Sequence, residues 1–101
     1  MYVKMSKYDT LKYHLTLPEF QSKEDGARRF VIMDILTLVE EKAQNENCEI
    51  TDDLVNTTIV EYKRFLENCI HTMPGDEQNV YLRQLFIRKL NILFEYMPVV
   101  N

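Results

Sequence analysis

Cys69 and His71, two residues apart, are the strongest candidates in this chain for metal chemistry. A structural zinc site needs about four ligands, usually in closely spaced pairs. The remaining cysteine and histidine, Cys48 and His14, stand far from that pair and from each other. Cys69 also belongs to a periodic apolar stripe, where a thiol behaves as a small hydrophobic group. We therefore expect no metal site, with Cys69 in the core and His71 near the negative end of a helix.

The sequence offers no residue pattern that is typical of an enzyme. Cys69 and His71 cannot act as nucleophile and base, because residues i and i+2 of a helix point to different faces. Gly26 and Gly75 are too far apart to build a glycine-rich phosphate loop. Helix capping and the helix dipole explain most of the paired carboxylates. We expect no catalytic residue and no cofactor. The carboxylate pairs stand at positions 24–25, 40–41, 52–53 and 76–77.

One candidate binding surface lies in the C-terminal third, where Tyr81, Arg83, Arg88 and Lys89 combine basic and aromatic side chains. Such a combination suits RNA, because cations contact the phosphates and aromatic rings stack on bases. The alternative is an ordinary solvated helix exterior.

A second candidate surface is the start of the second predicted helix, which carries Lys23, Arg28 and Arg29. A small anionic ligand could bind near a helix N-terminus of this kind, although Glu24 and Asp25 compete for the same field. Tyrosine and phenylalanine together make up 11% of the chain. Four short helices cannot bury all of these rings, so we also expect a protein interface or a homo-oligomer.

The elements that carry these side chains are predicted to be helices. The 101 residues include only 2 glycines and 3 prolines, too few for the many turns of a strand-rich fold. An apolar fraction of 46% and a charged fraction of 28% are typical of one folded globular domain over residues 1–101.

Sequence signals divide the chain into four helices. Ser6 and Asp9 resemble a capping box for a short helix that ends at Pro18. The second helix is predicted over residues 22–45, capped by Ser22 and Asp25, and residues 30–39 are apolar on nearly every face. We expect it to be the central helix, covered by neighbours on several sides.

The third predicted helix starts at the cap Thr51 and ends at the turn signal of residues 73–75. Its core-facing stripe includes Phe65. Asp76 caps the fourth helix, which runs to about Tyr96 with Leu82 on its inner face. The prediction is an all-α bundle of about four helices, one short and three longer.

Charge and hydropathy restrict the partners and the compartment. The formal net charge is -4, so no global field attracts nucleic acid, yet residues 1–29 hold six basic against four acidic side chains. No apolar run approaches the ~20 residues that cross a bilayer. Two cysteines without a disulfide framework are typical of a reducing compartment. We expect a cytoplasmic protein with no membrane partner.

Three segments resemble the N-terminal helical domain of the GatB/YqeY family, and their order and spacing agree over about residues 10–98. They are an arginine-led apolar helix at 28–38, a Thr-Asp helix opening at 50–55 followed by a basic stretch at 62–67, and a closing Tyr-Met-Pro at 90–98. The resemblance implies an accessory module of transfer-RNA amidotransferases. The residues that would hold transfer RNA are Arg28, Arg29, Lys63, Arg64, Arg83, Arg88 and Lys89.

Three functions follow as hypotheses. Small size, net acidity, abundant Tyr, Phe and Met, and the lack of catalytic groups favour a non-enzymatic protein-interaction module, an adaptor or an inhibitor, including one of viral origin. The family resemblance favours an RNA-associated accessory module instead. An oligomeric binder of a small anionic ligand is the third hypothesis.

Overall fold

The computed structural model describes residues 5–21 and 26–98, without the side chains of residues 20 and 21. Four α-helices are present there: α1 (Lys7–Thr16), α2 (Gly26–Glu46), α3 (Asp52–Thr72) and α4 (Glu77–Leu93). Short 3₁₀ helices follow at Pro18–Gln21 and Phe94–Tyr96, and the described ranges contain no strand. The predicted bundle of one short and three longer helices is confirmed. The predicted cap at Ser22 and Asp25 lies outside the described residues.

Side-chain caps fix the starts of three helices at the predicted positions. In each cap a side-chain oxygen accepts the backbone N–H three residues later, satisfying a donor that the helix leaves unpaired. Pro18 follows the extended residue that ends α1, as expected. The pairs are Ser6 with Asp9 at 3.1 Å, Thr51 with Leu54 at 3.1 Å, and Asp76 with Asn79 at 3.2 Å.

The end of α2 is closed by a backbone motif that the sequence analysis did not predict. Asn47 adopts a left-handed conformation with φ 52°, which asparagine tolerates better than most residues. The Cys48 N–H then donates to the Ala43 carbonyl at 3.0 Å, and the Asn47 N–H donates to Gln44 at 3.3 Å. This pair of bonds forms a Schellman motif, which ends α2 and reverses the chain toward α3.

The hydrophobic core is built mainly from α2 and α3. They supply five and four side chains of the central cluster, whereas α1 and α4 supply one each, Leu11 and Leu93. The prediction that α2 is the central helix is therefore confirmed. The α2 and α3 members are Val31, Ile32, Ile35, Leu36, Val39, Val55, Ile59, Tyr62 and Leu66.

The prediction that α2 is covered on several sides holds only in part. Phe30 is 58% exposed, and Met33 is also exposed on the same side of the helix. Both side chains stay exposed because the described helices cover this side of α2 incompletely. Apolar residues on nearly every face of α2 therefore did not lead to burial of every face.

Lys7 fastens α1 to the end of the bundle where α3 begins and the C-terminal 3₁₀ helix lies. Its backbone N–H donates to Asp52 at the start of α3 at 2.9 Å. Its ammonium donates to the Tyr96 carbonyl at 2.9 Å and to Asn56. Burial lowers the pKa of the Lys7 ammonium, while Asp52 raises it. A single residue thus ties α1 to α3 and to the C-terminal 3₁₀ helix.

The α3–α4 hairpin extends beyond the core. Between Leu66 and Leu93 no residue is fully buried, and the molecule measures 55 × 33 × 30 Å. Leu82, predicted on the inner face of α4, is 40% exposed, because the start of α4 contributes no residue to the central cluster. Cys69, expected in the core, is half-buried outside that cluster, and His71 is exposed in the last turn of α3.

Among the described residues, every helix is too short or too polar to cross a membrane.

Leucine-to-alanine substitutions should destabilise the protein more at the buried C-terminal end of α4 than at its exposed N-terminal end. Leu93 is 0% exposed, so Leu93→Ala should lower the free energy of unfolding by about 2–5 kcal/mol. Leu82→Ala should cost less than about 1 kcal/mol. Urea unfolding followed by circular dichroism measures both values, and equal costs would contradict the packing of α4 described above.

Candidate binding groove

A groove of about 690 Å³ runs between α2 and α3 and is closed at one end by α4. Its floor is apolar, and its rims are mostly charged or polar. Phe65 is 61% exposed within it, so the groove is open to solvent. The lining residues are Asp34, Thr37, Leu38, Glu41, Lys42, Asn45 and Glu46 of α2, Thr58, Glu61, Tyr62, Phe65 and Leu66 of α3, and Phe86 and Lys89 of α4.

Helical periodicity places these side chains along the groove. Asp34, Leu38, Glu41 and Asn45 recur along α2 at spacings of four, three and four, so they share one side of the helix. That side lies beside the buried face and not on it. The groove therefore uses the edge of the apolar stripe, where a side chain is neither in the core nor fully in solvent.

Asp34 joins three helices at one end of the groove. One of its carboxylate oxygens accepts hydrogen bonds from the Tyr62 hydroxyl of α3 and from the Lys89 ammonium of α4, the latter at 3.3 Å. Burial, together with the bond to Asp34, raises the pKa of the Tyr62 phenol. Tyr62 therefore stays a hydrogen-bond donor over the ordinary pH range, and its bond to Asp34 links α3 to α2 at this end of the groove.

The rims of the groove carry more carboxylates than ammonium groups. Lys42 pairs with Glu61 at 2.7 Å, and Lys89 pairs with Asp34. Glu41 and Glu46 form no salt bridge with any described residue. The groove therefore presents net negative charge above an apolar floor.

Four of the predicted binding residues have partners within the chain. Arg28 donates to Glu95 and, at 3.2 Å, to the Tyr96 hydroxyl. These bonds raise the pKa of Arg28, and the Arg28 hydrogen bond lowers the pKa of Glu95. Arg28 thus fastens the start of α2 to the C-terminal 3₁₀ helix.

The other three engaged residues lie on α3 and α4. Lys63 pairs with Glu67 at 3.0 Å, and its ammonium lies 5.7 Å from the centre of the Phe94 ring. Arg83 donates to the Met73 carbonyl at 2.8 Å, which closes the α3–α4 turn. Lys89 contacts Asp34, and of the predicted binding residues within 26–98 it alone lines the groove.

The remaining predicted residues that the structure describes are exposed, but they do not gather with the others. Arg29, Arg64, Tyr81 and Arg88 are exposed, and Lys23 lies outside the described residues. Successive residues of an α-helix are about 100° apart, so on α4 Arg83 lies about 140° from Arg88 and about 120° from Lys89. The structure therefore does not bring the basic residues of α4 onto one face.

The groove was not predicted from the sequence. Phe65 was predicted in the core-facing stripe of α3, and the structure corrects this, since Phe65 is the most exposed phenylalanine described. One signal was present: Phe65 sits at the margin of the stripe, next in the helical sequence to the fully buried Leu66. Only the path of α2 decides that this margin faces a groove.

Within residues 5–21 and 26–98, no three His, Cys, Asp or Glu side chains come close enough to hold a metal ion. Comparison with protein-family models, with curated proteins and with solved structures gave no match. Function is therefore inferred from the groove and the surfaces around it.

Removal of the Tyr62 hydroxyl should weaken the fold at neutral pH and have less effect at high pH. Tyr62→Phe removes a donor to a charged carboxylate, so we expect a loss of about 1.5–3 kcal/mol in unfolding free energy. Tyr13→Phe, on an exposed ring, should cost less than about 0.5 kcal/mol. Urea unfolding at several pH values measures both variants.

The sign of the pH effect follows from the raised pKa. An unfolded tyrosine titrates near about pH 10, and the folded Tyr62 titrates higher, so its stabilisation is complete below pH 10 and is lost as the pH rises further. The difference between wild type and Tyr62→Phe should therefore shrink above about pH 10. A difference that stays constant or grows would show that Tyr62 does not donate to Asp34 in solution.

Proposed function

We propose that this chain is a non-enzymatic protein-interaction module that holds an amphipathic helix of a partner protein in the groove between α2 and α3. The observation that carries the proposal is the exposure of Phe65 at the apolar floor of that groove. Covering a phenylalanine side chain gains about 1.5–3 kcal/mol. Exposed aromatic residues over concave apolar surfaces are typical of interaction sites.

The length of the groove suits a helix. Its α2 wall extends from Asp34 to Glu46, which corresponds to about 18 Å of helix at 1.5 Å per residue. A helix that docks into a groove does so with apolar residues at i, i+3 or i+4, and i+7, a span of about 10 Å. Two turns of a partner helix therefore fit along the floor.

The charge of the groove favours a basic helix. Glu41 and Glu46 are free of salt bridges in the part of the chain described here, and they stand on the α2 rim. Lysine or arginine beside the apolar stripe of the partner would pair with them. Rim charges of this kind mainly set the association rate and the choice of partner.

Such binding accounts for either an adaptor or an inhibitor, since a helix held in the groove is withheld from other partners. The cytoplasm is the proposed compartment, supported by the free thiols of Cys48 and Cys69. RNA binding, a relationship to the GatB/YqeY family and binding of a small anion stay predictions with less support. The groove would repel phosphate, and four of the candidate cations already have partners within the chain.

Selection from a library of displayed helical peptides tests the proposal without knowledge of the natural partner. We expect enrichment of amphipathic helices with lysine or arginine beside the apolar stripe. Phe65→Ala should weaken binding of the selected peptide about 30-fold, the effect of a hot-spot side chain. Phe30→Ala is the matched control, because Phe30 is 58% exposed but lies outside the groove; it should change the affinity less than about twofold.

The charge part of the proposal has its own test. Glu41→Lys should weaken the selected peptide and reduce its salt dependence, whereas Glu49→Lys, outside the groove, should not. The proposal fails if Phe65→Ala and Phe30→Ala have equal effects, or if no peptide is enriched. Transfer RNA bound at low salt and lost with Arg88→Ala would favour the RNA hypothesis instead.

A further inference from the structure

The outer face of α4 is an exposed, partly apolar surface that the groove does not use. It consists of Glu77, Val80, Tyr81, Gln84, Ile87 and Arg88, all exposed. Tyr81 is 81% exposed, more than any other large apolar side chain described. Gln84, at the centre of this face, lies about 160° around the helix from Phe86, which lines the groove, so the two surfaces are separate.

The spacing of this face is symmetric about Gln84. Tyr81 and Ile87 stand three residues before and after it, and Val80 and Arg88 stand four residues before and after it. Positions three and four apart share one side of a helix. Rotation by 180° about an axis through Gln84 therefore places this stripe onto a copy of itself running the other way.

We infer that a second copy of this chain packs against the outer face of α4, with the two α4 helices antiparallel and related by a twofold axis at Gln84. A twofold contact uses the same surface on both copies, so the surface must complement itself. In this pairing Tyr81 meets Ile87 of the second copy, and Val80 packs against the apolar stem of the second Arg88. The two Gln84 side chains meet at the axis.

The charges select this orientation. Neither Glu77 nor Arg88 has a salt-bridge partner among the described residues. In the antiparallel pair each Glu77 lies about 4.5 Å along the axis from Arg88 of the second copy, within reach of an ion pair. A parallel pair would set Glu77 against Glu77 and Arg88 against Arg88, which is repulsive.

The dimer should be weak and reversible. The stripe from Glu77 to Arg88 is about 17 Å long and one helix, about 10 Å, wide. A stable complex usually buries about 800 Å² on each partner, which is more than one helix face of this size provides. We therefore expect a dissociation constant of about 0.1 mM.

Sedimentation equilibrium over a range reaching about 1 mM tests this inference. The average mass should rise with concentration from the 12.1 kDa of one chain toward twice that value. Glu77→Arg and Arg88→Glu should each weaken dimerisation about tenfold, because each replaces two attractive contacts with repulsive ones. Glu49→Arg, an exposed charge reversal far along the chain from α4, is the control and should have no effect.

Mixing the two single variants gives the decisive result. Together, Glu77→Arg and Arg88→Glu restore opposite charges at both ends of an antiparallel pair, so the mixture should dimerise as well as wild type. A wild-type chain that stays monomeric throughout, or a mixture that does not recover, overturns the inference. A mass that rises only when transfer RNA is added also overturns it. The outer face of α4 lies on the opposite side of the helix from the face that borders the groove. A protein that does not dimerise would therefore leave the proposal of helix binding in the groove unaffected.

Discussion

The fold depends on the burial of one side of α2, since this helix supplies five of the eleven side chains in the central cluster. The other described helices, α1, α3 and α4, all pack against α2. Val31, Ile35 and Val39 are fully excluded from water by this packing. Apolar side chains on other sides of α2 stay exposed, namely Leu38 beside the groove, Phe30 and Met33.

Asp34 links the three helices that line the groove, α2, α3 and α4. Apolar contacts alone allow helices to slide, whereas a carboxylate that accepts from both Tyr62 and Lys89 fixes the relative positions of α2, α3 and α4. The same interaction removes Lys89 from the pool of cations that a ligand could use. Lys89 therefore stabilises the fold through its contact with Asp34 and is not available to bind a ligand.

Local signals were the predictable part of the structure. Caps at Ser6, Thr51 and Asp76 depend on a side chain and an amide three residues away, so the sequence contains all that they need. The left-handed turn at Asn47 depends on its own backbone and was still missed, because asparagine is also common in ordinary loops. The exposure of Phe65 could not be predicted from the sequence, because it depends on the positions of α2 and α4. The periodicity of α3 does not contain that information.

The basic residues show why binding sites predicted from a sequence must be checked for ion pairs within the folded chain. A cation in a sequence has no visible partner, yet Arg28 and Lys63 each find a carboxylate in the folded chain. Every pairing of this kind neutralises one positive and one negative charge locally. The chain has more acids than bases, so the charges left over are mainly carboxylates, and Glu41 and Glu46 are among them. The charged side chains available to a partner are those that form no salt bridge within the chain. At the groove these side chains are carboxylates, so the charge that a partner meets there is negative.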